Sequence, residues 1–411
     1  MTTTRAILEA PAPAAVSGRT ARVIFVNRVY APSTAATAQL LTDLAEGLAH
    51  RGWPVHVVAS GHSSAARHGV VVHGTGPGST HGGLLSRSLN YRRFLRAARR
   101  ELLALVEPGD LVVALTDPPM LGATVAEAAR ARGGRVVHWI QDIYPEIVSA
   151  HFGAIAALAL RPLLARRDAA WRSAQACVTL GDDMAAFVTG RGVPAARVAI
   201  VPNWAPRELH APAPADAVAA RRAAWGVADK FVVAYSGNLG RVHEFDAVLG
   251  AAEALRAQPE ISFVFVGTGA RFDEVRRAAR ARRLENVRFL PLEPRAQLAA
   301  ALAAADAHLV TLKPGFARLV YPSKLAGVLA AGRPVLFVGP PAGDIARLLA
   351  RADCGVAVGP DGGGDLARAI GRWQAEPAAR AALGRCARAA YEQNFAFETA
   401  LDRWEAVLRG R

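Results

Sequence analysis

The sequence predicts an α/β protein built from two doubly wound parallel sheets, Rossmann-like domains facing each other across a central cleft. Three observations predict it. Short runs rich in Val, Ile and Leu alternate with stretches of helical periodicity along the chain, as in βαβ units whose strands are buried on both faces. A proline-rich stretch, Pro202 to Ala215, divides the alternation into two series. The length of 411 residues suits two domains of ordinary size.

Residues 1–20 are small, proline-containing and unpatterned, and are expected to form a disordered lead-in. The first domain, 21–205, opens with a buried strand, Arg22 to Asn27. The loop Arg28 to Thr37 leads into a helix from Ala38 to His50, and Gly52 and Trp53 turn the chain into a strand at Val55 to Ala59. A further strand is expected at Val70 to His73, a Gly- and Ser-rich loop at Gly74 to Gly83, and a helix at Ser88 to Leu105. Leu111 to Leu115 is a strand, Pro119 to Arg132 a helix and Arg135 to Ile140 a strand. Ala154 to Arg172 reads as a helix, apolar at first and kinked at Pro162; strands at Ala176 to Leu180 and Val198 to Val201 complete the sheet.

The second domain, 206–395, has strands at Lys230 to Tyr235, Ser262 to Val266, Val287 to Leu290, His308 to Thr311, Val335 to Val338 and Gly355 to Val358, with helices between. Helices at Gly364 to Gln374 and Ala378 to Asn394 follow. The final segment, 396–411, carries Phe397, Leu401, Trp404 and Leu408 at helical spacing. That apolar stripe needs a surface to dock on, and the first domain is the expected one.

Ligands of doubly wound sheets meet the loops after the strands. The stretch Tyr321 to Val338, YPSKLAGVLAAGRPVLFV, is the most informative of these. Pro322, Ser323 and Lys324 suit the start of a helix, Gly332 ends it, and Val335 begins a strand. Unpaired N–H groups and a cation at such a place suit a phosphate. Lys324 is one of three lysines, with Lys230 and Lys313, in a chain whose other bases are arginine. Ser236-Gly237-Asn238-Leu239-Gly240-Arg241 follows the first strand of this domain; its glycines permit close backbone approach, and Arg241 can grip a phosphate. Gly267-Thr268-Gly269 follows the next strand, but Phe272 stands where a dinucleotide fingerprint needs its third glycine. In the first domain, Ser33, Thr34 and Thr37 offer hydroxyls at a helix start, and Asp142 follows a strand where a carboxylate can hold or take a proton; a turn or capping acid is the plainer use of that aspartate.

Composition narrows the classes of function. The net charge is +15, and both halves are basic: 21 bases against 13 acids up to residue 205, and 28 against 21 beyond it. That balance suits an anionic partner, whether nucleotide diphosphate, lipid phosphate, membrane or nucleic acid. Aromatic residues are 7% and are not interleaved with a basic stripe, which argues against nucleic acid. Cys177, Cys354 and Cys386 form no metal or disulfide pattern, and a cytoplasmic setting without signal peptide or spanning helix is expected. The histidines show no metal spacing, and neither a nucleophile elbow nor a Walker loop is present.

Taken together, YPSKLAGVLAAGRPV, YSGNLGRVHEF, FVFVGTGA, VPNWA and VHWIQDIYPE resemble a bacterial glycosyltransferase of family 4 with the GT-B fold, in the branch serving exopolysaccharide, capsule and O-antigen assembly. The resemblance runs from about Arg22 to the C-terminus. It implies a retaining, metal-independent transfer from a nucleotide-sugar, commonly a UDP-sugar, with no cofactor. The first domain would hold the acceptor, a polyprenyl-diphosphate-linked or polysaccharide chain, through Ser33, Thr34 and Thr37. Arg241, Ser323 and Lys324 would flank the donor diphosphate; Gly237, Asn238, Gly267 and Gly269 would line the nucleotide pocket. Asp142 would stand by the reacting sugar. One departure matters. The family often carries two glutamates eight positions apart, where Leu319 and Gly327 stand here, so the usual carboxylate contact to the ribose is missing. A sugar-nucleotide epimerase would need acids and a histidine converging on the sugar, and no such set is evident. A non-catalytic basic binding protein is the rival outside the enzymes.

Finally, Ser86 to Arg100, SRSLNYRRFLRAARR, sets arginines beside Leu89, Tyr91, Phe94 and Leu95, and Phe152 to Leu164 is almost wholly apolar. A basic helix of this kind can lie in an anionic lipid interface, so peripheral attachment to the inner face of the plasma membrane is expected.

Overall fold

A computed structural model describes residues 21–61, 65–76, 84–148 and 158–411. The expected lead-in 1–20, most of the loop at 74–83 and the start of the apolar stretch at 152 lie outside them.

The first sheet comprises β1 (Val23–Val26), β2 (Val55–Ala59), β3 (Ala65–Arg67), β4 (Val70–Gly74), β5 (Leu111–Ala114), β6 (Arg135–Trp139), β7 (Ala176–Thr179) and β8 (Val198–Ile200). Their order is β3-β4-β2-β1-β5-β6-β7-β8, parallel except for β3 against β4. The second sheet comprises β9 (Phe231–Asn238), β10 (Ile261–Thr268), β11 (Val287–Leu290), β12 (Ala307–Thr311), β13 (Val335–Val338) and β14 (Gly355–Val358), in the order β11-β10-β9-β12-β13-β14 and parallel throughout. Both sheets place the carboxyl ends of their strands towards the junction of the two domains, as doubly wound sheets do around a ligand.

The strands form where apolar runs are buried on both faces: every residue of β1, β5, β12 and β13 is buried. Three features differ from the sequence expectation. β3 is a three-residue Ala- and Arg-containing edge strand with no apolar signal. A helix at Asp182–Gly190 begins at two aspartates, which suit a positive helix end. β9 and β10 run further than their apolar cores, pairing Gly237 with Gly267 and Asn238 with Thr268. Gly267 makes this possible, because a Cβ there would lie 2.0 Å from the Gly237 carbonyl oxygen.

The final helix, Phe397–Leu408, belongs to the core of the first domain. Trp404 packs edge-on against Trp139 of β6 at 4.9 Å, and Phe397 lies 5.4 Å from Trp204 of the linker. Around this apolar seam, Arg51 binds Glu398, Asp402 and Glu405 at 2.9, 2.6 and 2.7 Å. The Trp53 indole N–H donates to Glu405 at 2.7 Å.

The domains also touch directly. The Asp183 N–H donates to the Asp344 carboxylate at 2.7 Å, and the Asp344 N–H donates to the Asp183 carboxylate at 2.9 Å. Each aspartate therefore satisfies an unpaired donor at the start of the other's helix, Asp182–Gly190 and Asp344–Ala352. Beside them, the Ile143 N–H donates to the Leu319 carbonyl at 2.9 Å.

Candidate active site between the two domains

A cavity of about 230 Å3 lies in the cleft. Its walls come from the first-domain helix Ala36–His50 (Ala36, Gln39, Leu40, Asp43), the linker (Asn203, Trp204, Pro206, Leu209) and the second domain (Ser236, Gly237, Leu292, Glu293, Leu298, Leu302, Ser323, Lys324, Gly327). Most of this surface is apolar. The sequence motifs at Ser236-Gly237 and Ser323-Lys324, nearly ninety residues apart, meet here because β9 and β12 are neighbours in the sheet.

Lys324 is the focal residue. Its stem is partly exposed, but its Nζ is buried and has no hydrogen-bond partner. It stands 3.5 Å from the centre of the Tyr235 ring, near Gly237. Burial pushes the amine well below the ordinary lysine range. A ring face offsets part of that cost; an anion in the cleft would remove the rest. The Ser236 hydroxyl is likewise buried and unpartnered. Ser323 is exposed, lines the cavity and makes no side-chain capping bond to its own helix. His243 donates from Nδ1 to the Thr311 carbonyl at 2.6 Å; burial, aided by the Lys324 charge, lowers it to about 3, so it is neutral.

The other polar walls are occupied by protein partners. Gln39 donates to the Thr34 carbonyl at 2.8 Å, and Asp43 accepts from the Trp204 indole at 3.1 Å. Asn203 and Gln141 exchange amide hydrogen bonds at 2.8 and 3.0 Å. Glu293 accepts from Arg221 at 3.0 Å and from Trp225 at 2.9 Å.

The remaining sequence candidates lie apart from this cavity. Arg241 is exposed on the turn after β9 and is not on the cavity wall. Asn238 is exposed at the end of β9, its carbonyl taking the Tyr235 hydroxyl at 2.9 Å. Gly267 and Gly269 answer to backbone packing: a Cβ at Gly269 would lie 2.4 Å from the Asn238 side chain. Ser33 and Thr34 sit on the loop before the helix that carries Gln39, and Thr37 lies in its first turn; none of the three is on the wall.

Asp142 lines a second, smaller cavity of about 30 Å3 with His138, Tyr144 and Arg167. Burial, reinforced by the nearby Asp117, raises its carboxyl to about 6. Asp117 is itself held by Arg28 at 2.8 Å. Asp142 also bridges to Val320, so it sits where the first domain meets the loop leading to Lys324. Among the described residues no cluster of His, Cys, Asp and Glu could hold a metal ion.

Sequence reading missed Tyr235, Ser236, Gln39, Asp43 and the leucines of the cavity wall. Tyr235 was legible only as the end of a strand, Ser236 only as the first residue of a glycine-containing loop with no role of its own, and Gln39 and Asp43 only as one face of a helix; nothing local marks them as cleft residues.

The chain is similar to known proteins along most of its length. The family model described as Glycosyltransferase Family 4 matches residues 37–209, and the one described as Glycosyl transferases group 1 matches 219–390. A probable glycosyltransferase, WbjE of Pseudomonas aeruginosa, is 28% identical over 337 residues, 81% of this chain and 82% of the relative. A putative colanic acid biosynthesis glycosyl transferase of Escherichia coli K12, WcaI, is 39% identical over 144 residues, 34% of this chain and 35% of the relative. Among solved structures, Anabaena HepE in complex with UDP superposes with a TM-score of 0.72 at 18% identity, covering 95% of this chain and 100% of that one. WaaG, a glycosyltransferase involved in lipopolysaccharide biosynthesis, gives 0.69 at 18% identity over 92% and 98%.

Proposed function

Because this chain belongs to the family 4 glycosyltransferases of GT-B architecture, we propose that it moves a sugar from a UDP-sugar to a lipid-linked or growing polysaccharide acceptor in cell-surface glycan assembly. Relatives named for colanic acid and lipopolysaccharide synthesis support the pathway class. HepE, whose structures hold UDP and UDP-glucose, supports the donor class.

The observation that carries the reading is Lys324: a buried amine without a hydrogen-bond partner, on the wall of a cleft built by both domains. A lone buried charge is costly, and a bound diphosphate makes it favourable. Cleavage of the sugar–phosphate bond develops negative charge on the leaving phosphate. Lys324, with the hydroxyls of Ser236 and Ser323, would meet that charge in a site already organised for it. In this reading no metal ion is needed there, and Arg241 swings in from its exposed turn when the diphosphate binds. Configuration is retained, the leaving phosphate assisting the acceptor hydroxyl on the same face. Asp142, its carboxyl raised to about 6 and so largely ionised at neutral pH, orients the acceptor hydroxyl or the reacting sugar where the domains meet. Ser33, Thr34 and Thr37 hold the acceptor at the mouth of the first domain.

The acceptor surface is proposed to lie against an anionic membrane. The helix Leu84–Leu105 packs on Leu121–Ala131, which packs on Arg161–Arg172. Leu89, Leu158 and Leu163 are exposed among the exposed Arg92, Arg93, Arg96, Arg99, Arg100 and Arg166. Apolar insertion and headgroup attraction then act together. Among the described residues no helix is long and apolar enough to cross a membrane.

The test is a screen of nucleotide-sugars for donor hydrolysis, with melting in UDP, NAD and an oligonucleotide. Stabilisation by UDP alone, with release of UDP from one of its sugars, is expected. A protein that UDP does not stabilise, and that releases nothing from any donor, refutes the reading.

A further inference from the structure

Asp142 and Lys324 belong to different domains but are fastened to one junction. Asp142 pairs with Val320 of the second domain in an antiparallel bridge. Beside it the Ile143 N–H donates to the Leu319 carbonyl at 2.9 Å. Lys324 follows Val320 by four residues. Its neighbour Leu325 is buried in one apolar cluster with Leu319 and with Ile143, Leu180 and Met184 of the first domain, so a single core crosses from domain to domain here. A second tie lies alongside. Asp183 and Asp344 exchange N–H to carboxylate bonds at 2.7 and 2.9 Å. Arg347 donates to both carboxylates, to that of Asp183 at 2.9 Å. Gly181, just before the helix Asp182–Gly190, is what lets the domains come this close. Its backbone is extended, which any residue adopts, but a Cβ there would collide with the Asp344 carboxylate and stand 3.0 Å from the Tyr321 ring.

We propose that Gly181, Asp183 and Asp344 are positioning residues for the sugar transfer: they hold residues 319–321 against 141–143, and so fix where Asp142 stands relative to Lys324. The proposal rests on the roles given to Asp142 and Lys324 above. A donor diphosphate is gripped by the second domain, where Lys324, Ser236 and Ser323 line the cleft. Asp142 is carried by the first. The distance between them is therefore set by how the domains meet, not by the fold of either one. A misplacement of about 1 Å slows an enzymic step by about a hundredfold. Charged acceptors at the two helix starts, both held by Arg347, make the meeting a stiff one. The junction thus acts on the chemical step and not on donor affinity, which the second domain supplies.

The test measures, on the full chain, UDP affinity and turnover of the UDP-sugar that the donor screen identifies. Gly181→Ala pushes the Asp344 carboxylate off the Asp183 N–H without removing a charge. It should lower turnover by about tenfold to a hundredfold and leave the UDP dissociation constant within about twofold. Asp344→Ala should behave alike. Asp344→Asn, whose side-chain oxygen still accepts from that N–H, should restore most of the turnover. In an Asp142→Asn background the Gly181→Ala loss should vanish, because the group it displaces is already gone. A merely structural role gives the same loss in both backgrounds. That result, Gly181→Ala turnover within about twofold of wild type, or a fully active Asp142→Asn overturns the proposal and leaves the donor site standing. If UDP does not bind and no donor is turned over, proposal and donor site fall together. If Gly181→Ala does not fold, Asp344→Ala and Asp344→Asn in the two backgrounds decide.

Discussion

Replacing Lys324 by Met should move stability and binding in opposite directions. In the free protein Nζ is buried without a hydrogen bond. An unsatisfied buried polar group costs about 1–3 kcal/mol. The Tyr235 ring at 3.5 Å offsets part of this only for the protonated form, by about 0.5–2 kcal/mol for a cation on a ring face. Methionine keeps the stem packed and removes the cost, so the unliganded variant should be more stable by about 1 kcal/mol in denaturant titration. UDP binding should weaken by about 1.5–3 kcal/mol, the contribution of a charged hydrogen bond, or roughly 10- to 150-fold in dissociation constant. A second signature follows from protonation. Burial holds the free amine well below the ordinary lysine range, and a bound diphosphate favours its charged form. Binding should therefore take up protons, and affinity should fall as pH rises through the region where the free amine titrates. Calorimetry in buffers of different ionisation enthalpy reads this uptake directly. A Met variant with wild-type UDP affinity, or binding without proton uptake, would sink the reasoning.

Asp142→Asn should lower turnover by about 100-fold or more while leaving UDP affinity unchanged; activity within a few-fold would make Asp142 a structural acid only. Its raised carboxyl, about 6 against 3.8, means the native state holds the proton more tightly than the unfolded chain. Stability should then fall as pH rises from about 4 to 6, by up to about 3 kcal/mol, and the Asn variant should lack this fall in denaturant titrations. Asp183→Ala and Asp344→Ala should each cost about 1–2 kcal/mol as lost caps; the double variant should cost less than the sum, and strict additivity would show that the two caps are independent. Changing Arg92, Arg93, Arg96 and Arg100 to Gln should weaken flotation with anionic liposomes and spare UDP affinity, and high salt should release the wild type; a wild type that stays off liposomes at low salt refutes membrane attachment.

The sheets were legible because their signal is local. β11, β13 and β14 fall at the expected residues: Val335–Val338 of β13 is buried throughout, and the partly buried β11 and β14 carry short apolar runs of their own. β3 was not, because Ala65–Arg67 is held by pairing with β4 alone. Lys324 stood out by rarity of type, and its burial agrees with that. Gly267 and Gly269 looked like ligand-facing glycines, yet the structure fills the space beside them with backbone and with Asn238. Close approach is what a sequence shows in such glycines; what approaches, ligand or neighbouring strand, is decided at long range. The cavity itself was illegible for the same reason. Leu209, Leu302 and Gly327 become one wall only when the linker crosses the second sheet's helices.

The final helix has a consequence for how the chain is made. Trp139 is translated early, but Trp404, which packs on its edge, comes within the last ten residues, as do Glu405, Val407 and Leu408. A ribosome therefore releases the whole second domain before the first can close its interior. Until then Trp139, Trp204 and the face of the helix Ala36–His50 that receives Phe397 and Leu401 remain open to water. The half of the molecule that is synthesised first is the half that is finished last, and a nascent chain stalled short of Phe397 exposes an aromatic surface that the complete protein hides.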